Sequence, residues 1–166
     1  MNLPKRKPTR LKNFDYNQNG YYFITICTHN KQKILCDIVG GDVLDAPFKI
    51  HLKVYGLIVD ETLKQMSTYY DNIMIDKYVI MPNHIHIILI VNDKGTSRTS
   101  SPTRQHSFIP QFISSFKRFS NKKCGQNIFQ RSFHDHIIRG ENDYLKIWNY
   151  IDTNPAKWVE DCFFIE

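Results

Sequence analysis

The run HIHIILIV, residues 84–91, constrains the fold more than any other part of the sequence. Apart from its two histidines it is apolar at every position, so a β-strand built from it has no face to give to water. Such a strand belongs in the interior of a sheet with cover on both sides. A second β-rich run, residues 72–81, precedes it, and only Pro82-Asn83 separates the two, which predicts two strands joined by a tight connection.

The remaining elements follow from local pattern. YYFITICT (residues 21–28) is β-branched and aromatic after an Asn-Gly turn signal and is predicted to be a strand. Residues 31–47, with a Gly40-Gly41 pair, read as a loop carrying short strand pieces, and 48–52 as one such piece. From about 54 to 70 the apolar positions Leu57, Ile58, Leu63 and Met66 recur at helical spacing. Residues 107–123 place Phe108, Ile109, Phe112, Ile113, Phe116 and Phe119 on one helical stripe, with basic residues toward the C-terminal end. Residues 129–139 read as a strand, and a last helix is expected from about 142 to 153, ending before Asn154-Pro155 because proline disfavours helical geometry in the residue before it. This order describes an α+β fold, an antiparallel sheet with helices packed on it, in a single domain spanning 1–166. A basic arm (about 1–15) and a polar, mobile loop (about 92–106) complete the expected organisation.

Charge and cysteine usage narrow the chemistry. Twenty-two Lys plus Arg against sixteen Asp plus Glu give a net charge of +6, which favours a polyanionic partner. The four cysteines are scattered with no C-x-x-C pair, which disfavours a zinc ribbon or a redox dithiol and suggests free, mostly buried thiols. No eighteen-residue apolar window or signal-peptide core is present, so a cytoplasmic protein without membrane contact is expected.

The histidines of the central strand raise the functional question. Side chains at i and i+2 of a strand share a face, so His84 and His86 project together. They are either two hydrogen-bonded core residues or two ligands of one divalent ion. His134 and His136 form a second such pair, without the apolar setting. A third ligand has to come from elsewhere, and the last helix offers Tyr150 and Asn154, four residues apart and hence on one face. Tyr150 also fits as a packing residue beside Ile147 and Ile151, and Tyr144 is a competing phenol.

At the level of motifs the chain resembles the single-tyrosine HUH transposases, most closely their REP-associated tyrosine transposase branch. Four stretches carry the resemblance in order: RLKNFDYNQNGYYFITICTHNK, YVIMPNHIHIILIV with its His-hydrophobe-His signature, FKRFSNKKCG, and FQRSFHDHIIRGENDYLKIWNYIDTNPAKW. The resemblance implies a ferredoxin-like fold of the HUH endonuclease type. It also implies a nuclease that cuts and rejoins single-stranded DNA beside palindromic or hairpin sequences, through a 5′-phosphotyrosine. By position it makes Tyr150 the nucleophile, His84 and His86 metal ligands, and Asn154 a third polar ligand where relatives commonly carry Gln. The implied cofactor is Mg²⁺ or Mn²⁺, although two imidazoles alone suggest Mn²⁺ or Zn²⁺.

Affinity for single strands needs positive charge and stacking faces. Candidates for DNA contact are Lys5, Arg6, Lys7 and Arg10 in the arm, Lys117, Arg118, Lys122 and Lys123 on the basic helix, and Arg131, with His136 lining the site. Both a monomer and a homodimer are compatible with the pattern. The rival readings are a DNA-hairpin-binding protein without turnover and a metal-dependent hydrolase of small phosphoesters.

Overall fold

The computed structural model describes residues 14–40, 48–93 and 107–165. Lys5, Arg6, Lys7 and Arg10, most of the predicted arm and nearly all of the predicted polar loop lie outside the described residues. The chain forms an α+β fold around a four-stranded antiparallel sheet of order β4-β5-β1-β6. These strands are β1 (Gly20–Cys27), β4 (Ile73–Ile80), β5 (His84–Val91) and β6 (His134–Ile138). A two-stranded hairpin, β2 (Cys36–Val39) with β3 (Lys49–Leu52), stands apart from it. The helices are α1 (Val54–Tyr69), α2 (Phe108–Cys124) and α3 (Glu141–Thr153).

The all-apolar run does occupy an interior position, with β4 on one side and β1 on the other. Its turn is held from outside: the Pro82 carbonyl accepts from the Leu35 N–H at 3.0 Å and the Asn83 carbonyl from the Thr28 N–H at 2.9 Å. Ile85, Ile87, Leu89 and Val91 join Tyr22, Ile24 and Ile26 of β1 in the main core, against Val59, Leu63 and Met66 of α1 and Ile109, Phe112, Ile113 and Phe116 of α2. The other face carries a smaller cluster of Val79, Met81, Ile88, Ile138 and Ile151, into which Tyr144 and Ile147 of α3 pack. His84 and His86 point to this second face. Period-two alternation therefore sorts β5 into a structural side and a side turned to α3.

Three details depart from the sequence-based expectation. Leu57, expected on the apolar stripe of α1, is 56% exposed, because the helix turns Gly56, Val59, Leu63 and Met66 inward instead. The strand expected over 129–139 is shortened to 134–138; Phe129 makes only an isolated bridge with Thr28, and the carbonyls of Gln130, Arg131 and Ser132 between accept from Lys117. The last helix ends at Thr153 as expected, but Asn154 keeps helical dihedrals and a 3₁₀ segment kinked at Lys157, Asn154–Glu160, follows with Pro155 in its first turn, where a missing N–H costs nothing. Of the four free cysteines only Cys27 and Cys36 are buried.

Candidate active site

The site sits on the α3 face of the sheet. His84 and His86 are 0% and 1% exposed, and their Nε2 atoms lie 3.0 Å apart. The opposite ring nitrogens are held by neighbours: His84 Nδ1 meets Asn83 Oδ1 at 2.8 Å, and His86 Nδ1 meets the Thr25 hydroxyl at 2.8 Å. Asn83 gives its amide N–H to the Phe163 carbonyl at 2.9 Å, so its oxygen faces His84 and the His84 Nδ1 must be the donor. That tautomer leaves the His84 Nε2 with a lone pair. The Thr25 hydroxyl can donate to His86 Nδ1 or accept from it; in the tautomer where Nδ1–H donates, both Nε2 lone pairs aim at one point.

The C-terminal segment closes over that point. Asp161 Oδ2 is 4.0 Å from each Nε2, accepts the Tyr150 hydroxyl at 2.9 Å and the Asn154 side-chain N–H at 2.7 Å, while Oδ1 accepts the Phe163 N–H at 2.7 Å. The Tyr150 hydroxyl is also 3.3 Å from His86 Nε2, and its ring stands edge-on to Phe23 and His86. The Phe163 ring lies 4.8 Å from that of His84. A phosphate reaches the imidazoles only if this segment shifts.

The electrostatics agree with a cation-binding pocket. Burial, then the like charge of His86, pushes His84 from 6.5 down to about 3, and burial lowers His86 as well. Both rings are neutral and ready to donate lone pairs at neutral pH. Burial alone would raise Asp161, but the nearby rings of His86 and His84 and the hydrogen bonds from Asn154 and the Phe163 N–H outweigh it and hold the carboxyl well below the usual carboxylate range. Burial, followed by the hydrogen bond to Asp161, raises the Tyr150 phenol well above its ordinary value.

His84, His86 and Asp161 bring ligand atoms within 4.8 Å of one another, and Asn154 adds a buried Oδ1 with no hydrogen-bond partner. Two imidazole nitrogens, a carboxylate and an amide oxygen form a donor set that suits a divalent ion such as Mn²⁺. The structure thus gathers Tyr150, His84, His86 and Asn154 around one point. Asp161 was absent from the sequence-based set: it follows an irregular segment, and no periodicity ties it to the helix face.

The other candidates fall elsewhere. His136 is on the same face, but its Nε2 is engaged by Asp143 at 2.9 Å; His134 is the residue aligned with His86 across Thr25. Lys117, Arg118, Lys122 and Lys123 belong to α2, on the opposite face of the sheet. Lys117 spends its ammonium on the carbonyls of Gln130, Arg131 and Ser132 at 2.8, 3.3 and 2.8 Å. Lys123 reaches Gln65 at 2.9 Å and Glu61 at 3.5 Å, and Arg118 lies over the Phe119 ring. Arg118 and Lys122 line an open polar groove at the end of α2, and Arg131 is exposed.

No protein-family model matches the sequence. An uncharacterised protein of Haemophilus influenzae is 28% identical over 176 residues, covering 97% of this chain and 94% of its own length. The REP-associated tyrosine transposase of Escherichia coli K12 is 33% identical over 89 residues, covering 52% of this chain and 47% of its own. A solved structure, a REP-associated tyrosine transposase bound to a REP hairpin, superposes with a TM-score of 0.61 at 19% identity, over 95% of this chain and 74% of the other. The chain has the fold of the REP-associated tyrosine transposases. The resemblance drawn from its four motifs is thereby matched by overall architecture. Among the described residues no helix is long and apolar enough to cross a membrane.

Proposed function

We propose that this protein is a transposase-type enzyme that nicks and rejoins single-stranded DNA at palindromic or hairpin sequences through a covalent bond to Tyr150. The observation that carries this reading is the position of the Tyr150 hydroxyl, 3.3 Å from His86 Nε2 and 2.9 Å from Asp161, beside two neutral imidazoles that share one focus. The sequence relative and the structural neighbour that are transposases, the latter holding a hairpin, support a DNA substrate of that kind. So does the net charge of +6.

In the proposed reaction the Tyr150 oxygen attacks the scissile phosphorus in line and the bond to the 3′-oxygen breaks. The products are a 5′-phosphotyrosine and a strand that leaves with a protonated 3′-hydroxyl. Asp161 Oδ2, already accepting the phenolic hydrogen, is positioned to take the proton. A second 3′-hydroxyl reverses the step and joins new ends without outside energy. A divalent ion, Mg²⁺ or Mn²⁺, held by His84, His86, Asp161 and the Asn154 oxygen would polarise the phosphate and favour the phenolate. Asn83 fixes the His84 tautomer that makes this binding possible, and the Thr25 hydroxyl holds the His86 ring through its Nδ1.

The closed position of residues 161–163 favours a second reading, a hairpin-binding protein without turnover. Incubating the full chain with labelled hairpin DNA carrying a single-stranded flank, with and without Mn²⁺, separates the two. A metal-dependent, denaturation-resistant adduct that disappears in Tyr150→Phe is expected. Hairpin binding with no adduct supports the second reading, and cleavage of small phosphoesters that survives Tyr150→Phe overturns both.

A further inference from the structure

Beyond the metal pocket, α3 shares a second cavity with the sheet. It measures about 390 Å³ and is lined by Tyr21, Ile138, Gly140, Glu141 and Tyr144. We propose that this cavity is a subsite for one unpaired nucleobase of the DNA strand cut by Tyr150; this rests on the nicking reading above.

The walls are built for a flat ring. Tyr21 and Tyr144 meet edge to face with centroids 5.4 Å apart, and Tyr21 remains 42% exposed. Tyr144 is fixed: its hydroxyl donates to Asp76 at 2.7 Å, and Asp76 is delivered by the bulge that interrupts β4 between Ile75 and Lys77. Gly140, at φ +86, starts α3 in a conformation open to glycine and leaves the rim free of a side chain. The volume lies near the lower end of the ~300–1,000 Å³ typical of small-ligand pockets, which suits one nucleoside and excludes a duplex.

The chemistry of the lining selects the base over the phosphate. None of the lining residues is basic, and the one charged group, the Glu141 carboxylate, repels a phosphodiester. A carboxylate accepts hydrogen bonds from exocyclic amino groups, which adenine, cytosine and guanine possess and thymine lacks. The aromatic faces supply sequence-tolerant stacking.

Position ties the cavity to the nicking site. Tyr144 and Tyr150 share α3, six residues or about 9 Å apart along its axis. That span equals two to three nucleotides at the stacked spacing of ~3.4 Å, and fewer in an extended strand. Phe23 bridges the gap: it alternates onto the same face as Tyr21, and its ring lies 6.1 Å from that of Tyr150. Tyr21, Phe23 and Tyr150 thus form an aromatic track leading to the nucleophile.

The test scans a single abasic residue through the nucleotides flanking the nick. In the wild type one position within about three nucleotides should lower the cleavage rate by roughly 5- to 100-fold, the loss of one base–aromatic stack. Tyr144→Ala should lower the rate on intact DNA by a similar factor and show no further loss at that position. Tyr144→Phe, which keeps the ring, should retain the sensitivity, and Glu141→Gln should weaken discrimination against thymine there. Independent losses from Tyr144→Ala and the abasic residue, which multiply when combined, overturn the subsite while leaving nicking intact. A binding measurement keeps the two proposals separable: 2-aminopurine at that position should be quenched by Tyr150→Phe protein and not by the Tyr144→Ala, Tyr150→Phe double variant. If the wild type forms no tyrosine adduct the nicking reading fails, and equal quenching by both proteins then refutes the subsite on its own.

Discussion

Lys117, proposed from the sequence for DNA contact, is engaged by the fold. Its ammonium donates to three consecutive carbonyls of the segment that leads into β6, two at 2.8 Å and one at 3.3 Å. Burial draws it from 10.5 down to about 8, which leaves it charged at neutral pH. Hydrogen bonds to a charged group contribute about 1.5–3 kcal/mol each, and desolvation of the ammonium offsets part of the gain. Counting the two short bonds and discounting the long one, Lys117→Met should cost about 2–3 kcal/mol. For a chain of this size that lowers the melting temperature by about 5–10 °C. The measurement is urea or thermal unfolding followed by circular dichroism, beside Lys122→Met, which should change stability by under about 0.5 kcal/mol. Binding to a single-stranded oligonucleotide across a salt series supplies the second axis, since each phosphate contact contributes ~0.7 to the log–log slope. Lys122→Met should reduce that slope and Lys117→Met should leave it unchanged. A Lys117→Met protein of wild-type stability with a reduced slope refutes the assignment.

Two further perturbations follow from the packing of α1 and the burial of His84. A Cβ at Gly56 would clash with the Leu35 carbonyl oxygen, so Gly56→Ala has to displace α1 from the β2 side and should cost about 3 kcal/mol or more, read as a fall in the urea midpoint. Because His84 is held at about 3 in the fold and titrates at 6.5 when unfolded, only the unfolded state takes up its proton as pH falls below 6.5. In the presence of a chelator the protein should lose about 2 kcal/mol from this residue between pH 7.5 and pH 5, and a flat midpoint over that range contradicts its neutral burial.

The parts of the fold that rest on a repeating pattern were legible in the sequence. Eight positions of β5 leave one outcome, an interior strand, and alternation assigns its histidines to a common face. A spacing of four places Tyr150 and Asn154 together. Residues whose partners lie in irregular backbone were not legible. Asp161 reaches the histidines because the 3₁₀ segment after Pro155 turns the chain back, and hydrogen bonds from Asn154 and the Phe163 N–H hold its carboxylate there. The target of Lys117 is likewise a set of loop carbonyls, those of Gln130, Arg131 and Ser132, which lie outside β6 although their neighbours' composition suggests a strand. A basic helix end thus reads as a DNA surface in sequence, although one of its charges is spent on the fold.

The same contrast bears on why two histidines occupy the wall of a sheet. Six of the eight positions of β5 are filled by Ile, Leu and Val, which bury at no polar cost. Imidazoles need partners there, and the fold supplies Asn83 and Thr25 for the Nδ1 atoms and brings the two Nε2 atoms to 3.0 Å from each other. A core that needed only to pack would fill these two positions with Ile or Val like the rest of the strand. The Asp161 carboxylate, 4.0 Å from each Nε2, gives the spot negative character that favours a positive charge beside the rings. That spot lies within reach of the Tyr150 phenol on α3.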